Sequence, residues 1–135
     1  GLSVSTIKNA HHMVDVDQPG TDSYRHRQAG AREVLLASAK RYAVMHELRD
    51  APEPPLEDLL QRLSPVELVL VEGYKTAPHS KIETYRKAVA QPLLATSNPS
   101  IRAVASDCAL DVALPVFDLD DTAAIADFIL RDTAL

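Results

Sequence analysis

Short apolar blocks separated by polar turns run along the chain, and their periods predict alternating strands and helices. Residues 2 to 8, LSVSTIK, are rich in β-branched side chains and predict a strand. After Pro19-Gly20, a helix is predicted from about Asp22 to Ala29, stopped by Gly30. Residues 33 to 38, EVLLAS, form a short apolar run, and RYAVMHEL, 41 to 48, is a strand candidate. Leu56, Leu59, Leu60 and Leu63 recur with helical spacing, so an amphipathic helix is expected there, closed by Pro65. ELVLVEG, 67 to 73, is a continuous apolar run bracketed by glutamates, the pattern of a parallel strand buried on both faces. KIETYR at 81 to 86, IRAVAS at 101 to 106 and LPVFDL at 114 to 119 predict three more strands. Asp120 is the expected N-cap of a last helix carrying Ala124, Ile125, Phe128 and Ile129 on one face.

Strands alternating with helices predict an α/β fold with a mainly parallel sheet, and 135 residues suit one domain over the whole chain. In such sheets ligands sit beyond the carboxyl ends of the strands. The positions to weigh are therefore Lys8 to Asp17, Glu72 to Lys75, and Ser106-Asp107.

Composition narrows the partners. The net charge is −5 and no Lys/Arg stripe follows a predicted helix, which argues against nucleic acid as the main partner. Tryptophan is absent, so base-stacking platforms are not expected. No apolar run reaches membrane-spanning length, and GLSVSTIK lacks the features of a signal peptide. The single cysteine, Cys108, excludes an internal disulfide and reads as structural. A cytoplasmic protein with no membrane partner is expected. Gly1 is not an initiator methionine, and the chain reads as trimmed or incomplete at its start.

Glu72 ends the most apolar strand, where a carboxylate can hold hydrated Mg²⁺ or orient a water beside a phosphate. It can equally be a strand-end acid leaving the core for water. Gly73 would let backbone approach a ligand, and Lys75 could meet an anion. His11 and His12 suggest zinc, but neighbours on an extended chain point to opposite sides, and no HExxH or CxxC supports them. Asp15, Asp17 and Asp22 offer hard oxygen ligands suited to Mg²⁺. Asp22 can instead cap the helix, whose N-terminus could face phosphate; Asp17 has no evident local task. Asp107 follows a strand and could read a guanine edge, although a turn role is the plainer reading.

The order STIKNAHHMVDVDQPGTDSYRHRQAGA, YAVMHEL, LVLVEGYK, KIETYR and AVASD resembles the molybdopterin-guanine dinucleotide biosynthesis adaptor family, MobB, over nearly the whole chain. The long first segment is the specific part. The resemblance implies a P-loop NTPase-like, doubly wound α/β fold with helices on both faces, binding GTP and Mg²⁺. It implies an adaptor assisting a MobA-type guanylyltransferase in attaching GMP to molybdopterin, with weak GTP hydrolysis of its own and a homodimeric state. On that reading Glu72 and Asp17 organise Mg²⁺ and the attacking water. Lys8, His12, Asp22, Gly73 and Lys75 add cofactor contacts, and Asp107 meets the base. RYAVMHEL and KIETYR are the candidate dimer contacts.

One departure stands out. Family members begin with a strand, a GxxGxGK loop followed by Ser or Thr, and a helix, and that first unit is missing here. This chain alone is expected to bind GTP poorly and to leave strand edges unpaired where the first strand would lie. Two rival readings remain: a scaffold that binds its partner or the pterin without catalysis, and a divalent-metal hydrolase built on the histidine-aspartate stretch.

Overall fold

Residues 1–10, 14–89 and 91–135 are described by the computed structural model. His11 and His12, and with them the zinc reading and the cofactor role of His12, lie outside the described residues. The chain divides into two compact units, Gly1–Lys75 and Thr76–Leu135.

In the first unit the β-branched alternation of Val4–Lys8 forms strand β1. The strand starts two residues later than its sequence pattern because Ser3 is otherwise engaged. Ser3 N and Oγ donate to Glu67 Oε2 at 2.7 and 2.9 Å, and Glu67 N donates back to Ser3 Oγ. This exchange fixes the register with β4, Leu68–Glu72, so that the two strands run parallel from Val4↔Leu68 to Lys8↔Glu72. The expected burial of β4 on both faces is not seen. Leu70 is exposed, and among the described residues the strand pairs in this sheet with β1 alone.

Helix α1, Asp22–Gln28, is capped by Thr21, whose hydroxyl accepts from Tyr24 N. Asp22 is therefore not the cap; it stands in the first turn, facing Arg25 at 4.0 Å. Gly30 adopts φ +109 just beyond the helix, the left-handed stop its position predicted. Strands β2, Glu33–Ala37, and β3, Tyr42–His46, pair antiparallel, a hairpin outside the parallel pattern. Its loop closes through Ser38 N to Arg41 O at 2.9 Å. Helix α2 covers only Leu56–Leu60, short of Leu63. Arg62 N and Leu63 N bond to Leu59 O and Leu60 O, tightening the end into 3₁₀ turns before Ser64-Pro65, where helical backbone is disfavoured. Among the described residues of this unit, Val34, Met45 and Leu56 are the buried apolar side chains.

In the second unit β5, Lys81–Tyr85, β6, Ile101–Ser106, and β7, Val116–Asp118, form one parallel sheet with β6 central. The centre of β6 is the driest part of the protein: Ala103 and Val104 are fully buried, flanked by Ile101, Ala105 and Ser106. Among the described residues no α-helix lies between β5 and β6. Pro92 and Pro99 bracket a 3₁₀ turn, Leu94–Thr96, whose first N–H groups at Leu94 and Ala95 are taken by the Glu83 carboxylate. Helix α3, Thr122–Asp132, packs Phe128 against Phe117 with ring centroids 5.3 Å apart, and Asp132 accepts from Arg102 Nε. Its cap is Asp121, which accepts from Ala124 N; Asp120 instead donates its N–H to Asp118.

Candidate functional site

The carboxyl edge of the β1–β4 pair gathers Lys8, Asn9, Glu72 and Gly73. Register places Lys8 beside Glu72, and Lys8 Nζ pairs with Glu72 Oε1, both side chains well exposed. Asn9 N donates to Glu72 O at 2.9 Å, extending the ladder by one residue. The Asn9 amide reaches Glu53 Oε1 at 2.9 Å, tying the strand end to the proline-rich loop.

Gly73 has φ +94 and Tyr74 φ +49, so the chain leaves β4 through two successive left-handed residues. A Cβ on Gly73 would lie 2.8 Å from Asn9 Cβ. The close approach that glycine permits here is thus made by Asn9, whereas the sequence suggested a ligand. Lys75 follows on the surface.

A second cluster forms where the loop after β1 returns to α1. Arg27 Nη2 donates to both Asp15 oxygens at 2.7 and 2.8 Å, Nε to Asp17 Oδ2 at 3.3 Å, and Nη1 to Glu47 Oε1 at 2.7 Å. The guanidinium, only 11% exposed, serves three carboxylates. Asp17 Oδ1 also accepts from Ser23 Oγ at 2.8 Å, and from Thr21 Oγ1 and Gln18 N at 3.2 Å. The premise that nothing local needs Asp17 is overturned: its side chain is 5% exposed and both oxygens are committed. The Arg27 hydrogen bond holds Asp15 below the usual carboxylate range. Burial pushes Asp17 up, but bonds from Ser23, Arg27 and Thr21 outweigh it and leave Asp17 lowered too.

Glu72 and Asp17 are held by separate partners, the first by Lys8 and the second by the Arg27 cluster. Among the described residues no three His, Cys, Asp or Glu side chains gather to hold a metal ion. One or two carboxylates suffice for Mg²⁺ when phosphates supply the remaining ligands. In the second unit Asp107 Oδ1 accepts from Lys87 N at 2.8 Å, holding the turn after β5 in the plain role weighed for it. Cys108 is half-buried, its N–H bonded to Ser106 Oγ at 3.1 Å.

Sequence reasoning missed Asn9, Arg27 and Glu47 as organising residues. The only local signal was Asp15-x-Asp17 followed by an arginine ten positions on; Glu47 and Glu53 come from remote loops.

Parallel strand pairing in both units, with helices between strands, defines an α/β protein, consistent with a P-loop NTPase-like fold. A family model described as molybdopterin guanine dinucleotide synthesis protein B, MobB, matches residues 1–107. The chain is 38% identical over 134 residues to the molybdopterin-guanine dinucleotide biosynthesis adapter protein of Escherichia coli strain K12, covering 97% of this chain and 77% of that protein. The Haemophilus influenzae protein of the same name is 37% identical over 131 residues, covering 95% and 71%. A crystal structure of molybdopterin-guanine biosynthesis protein B matches with a TM-score of 0.73 at 25% identity, over 97% of this chain and 81% of that one. A Bacillus subtilis MobB crystal structure shares the fold, with a TM-score of 0.69 at 24% identity over 97% and 80%. The chain belongs to the MobB family.

Proposed function

We propose that the chain is a GTP-binding adapter in molybdopterin-guanine dinucleotide biosynthesis, serving a MobA-type guanylyltransferase that attaches GMP to molybdopterin. The reading rests on relatives named molybdopterin-guanine dinucleotide biosynthesis adapter proteins, and one observation carries it to a site: the Lys8–Glu72 pair at the carboxyl edge of parallel strands. A nucleotide phosphate would take Lys8, and Glu72, released from it, would bind Mg²⁺ directly or through water. Asp17 keeps its loop in shape, and Asp22 and Lys75 stand on the surface as further contacts. Asp107 Oδ1 accepts from Lys87 N and holds a turn of the second unit.

The 135 residues hold four glycines and no GxxGxGK segment, so they do not themselves provide a phosphate-cradling loop. The site proposed here is one wall of a nucleotide pocket, and weak binding of GTP is expected of these residues alone. Among the described residues no helix is long and apolar enough to cross a membrane.

Self-association belongs to the same proposal. Val34 and Met45 bury one face at the base of the β2–β3 hairpin. Farther out it exposes Leu36 on that face, and Leu35, Tyr42 and Val44 on the other, with Tyr42 72% exposed. A hairpin apolar on both faces suits insertion against a second copy better than exposure to water. Strand β5, the other candidate, exposes no such patch.

The test is calorimetric titration of the full-length protein with GTP, with and without Mg²⁺. Glu72→Gln should remove the Mg²⁺-dependent part of the affinity, while Leu35→Glu should shift sedimentation toward monomer. A Glu72→Gln variant that responds to Mg²⁺ like the parent contradicts the site.

A further inference from the structure

The two parts of that proposal, the site loop and the hairpin, meet at one side chain. Arg27 lies in the last turn of α1, and its three nitrogens reach two separate pieces of chain. Nη2 and Nε bind Asp15 and Asp17 in the loop that follows β1. Nη1 binds Glu47, the residue directly after β3, whose N–H donates to Arg32 O just before β2 and so closes the base of the hairpin. Glu33 and His46 pair alongside at 2.7 Å and hold the same end.

We infer that Arg27 is a positioning residue that couples the Asp15–Asp17 loop to the β2–β3 hairpin, so that loop order and hairpin association change together. The inference rests on the nucleotide-adapter reading for its functional meaning, but not for its geometry. A guanidinium has a rigid planar fork, so a shift of Glu47 must rotate or translate the donors facing Asp15 and Asp17. Loop order depends on those carboxylates: Asp17 N donates to Asp15 Oδ1 at 3.0 Å and Gln18 N to Asp17 Oδ1 at 3.2 Å. Three carboxylates on one cation also leave the cluster with excess negative charge. Losing the cation's fixed position would drive the loop apart by repulsion, beyond the loss of the bonds themselves. A lysine could not substitute, because a single ammonium cannot present the same three directions.

Hydrogen exchange of the full-length protein tests the coupling without nucleotide. Glu47→Ala removes only the hairpin contact and leaves Asp15 and Asp17 untouched. It should speed exchange at the Asp17 and Gln18 amides about tenfold, the scale of one charge-assisted hydrogen bond. Amides of β6 and α3 should keep their protection. If Glu47→Ala loosens the whole chain, Glu47→Met keeps the side-chain volume without an acceptor for Arg27 Nη1 and is read at the same two amides. Unchanged exchange there in the folded variant overturns the coupling. A second arm compares GTP affinity across protein concentrations that span self-association. The parent should show a concentration-dependent affinity that Arg27→Lys abolishes, and equal dependence in both contradicts the inference. Failure of the parent to bind GTP refutes the adapter reading alone, since the exchange arm still decides the role of Arg27.

Discussion

Replacing Gly73 by alanine tests the geometry of the site edge most directly. Two penalties arise at this position, and the structure separates them. With φ +94, an L-residue sits in the left-handed region, which costs roughly 1–2 kcal/mol. The new Cβ would also lie 2.8 Å from Asn9 Cβ, closer than such atoms come, so β1 and β4 must spread at their ends. Overpacking of that kind costs about 1–3 kcal/mol. The sum, roughly 2–5 kcal/mol, is a large fraction of the ~5–15 kcal/mol that holds an ordinary domain folded.

A double-mutant cycle in urea divides the two. Asn9→Gly removes the opposing Cβ, so adding it to Gly73→Ala should recover the contact penalty but none of the backbone penalty. Asn9→Gly also loses the hydrogen bond to Glu53, which is why the coupling energy is the quantity to read, and not the double mutant's stability. A favourable coupling of about 1–3 kcal/mol is expected. Additive single-mutant effects would refute the steric argument, and a Gly73→Ala cost under ~0.5 kcal/mol would refute both parts.

Two further outcomes follow from packing and charge. Val104→Ala empties space in a fully buried strand and should cost about 2–3 kcal/mol by chemical denaturation, combining lost burial with a cavity. Asp15 and Asp17 are lowered in the folded state, so the native protein binds their protons more weakly than the unfolded chain does. Their contribution is then complete above the ordinary aspartate value of ~3.9 and is lost as pH falls through the lower native values. Melting temperature should decline steeply below about pH 4, and Arg27→Gln should flatten that limb. An identical acid limb in the variant contradicts the assignment.

What the sequence disclosed was periodic or locally punctuated. The parallel strand in LVLVE, the strand in IRAVAS and the stop at Gly30 follow from side-chain pattern and from backbone that only glycine adopts readily. Where the reading slipped, a non-local partner or a neighbouring cap had won. Ser3 looked like strand and went to Glu67, sixty-four residues on. Thr21 and Asp121 took the caps assigned to the adjacent Asp22 and Asp120, because a one-residue shift in backbone decides which side chain meets the free N–H. Asn9 and Arg27 were invisible for the same reason as Ser3: their tasks exist only once Glu53 and Glu47 arrive from elsewhere in the chain.

The two carboxylates singled out in the sequence illustrate how environment sorts similar groups. Glu72 is exposed and shares a pair with an exposed lysine, an interaction that contributes little and opens readily. Asp17 accepts from Gln18, Thr21, Ser23 and Arg27, so a cation could recruit it only by dismantling the loop it organises. Exchangeability, and not proximity to a ligand in sequence, is what suits a group to bind and release a metal-bound phosphate. In the proposed site Glu72 meets that criterion, with Lys8 as the counterion a phosphate would displace. Asp17 instead holds its own loop in shape, through Thr21, Ser23 and Arg27.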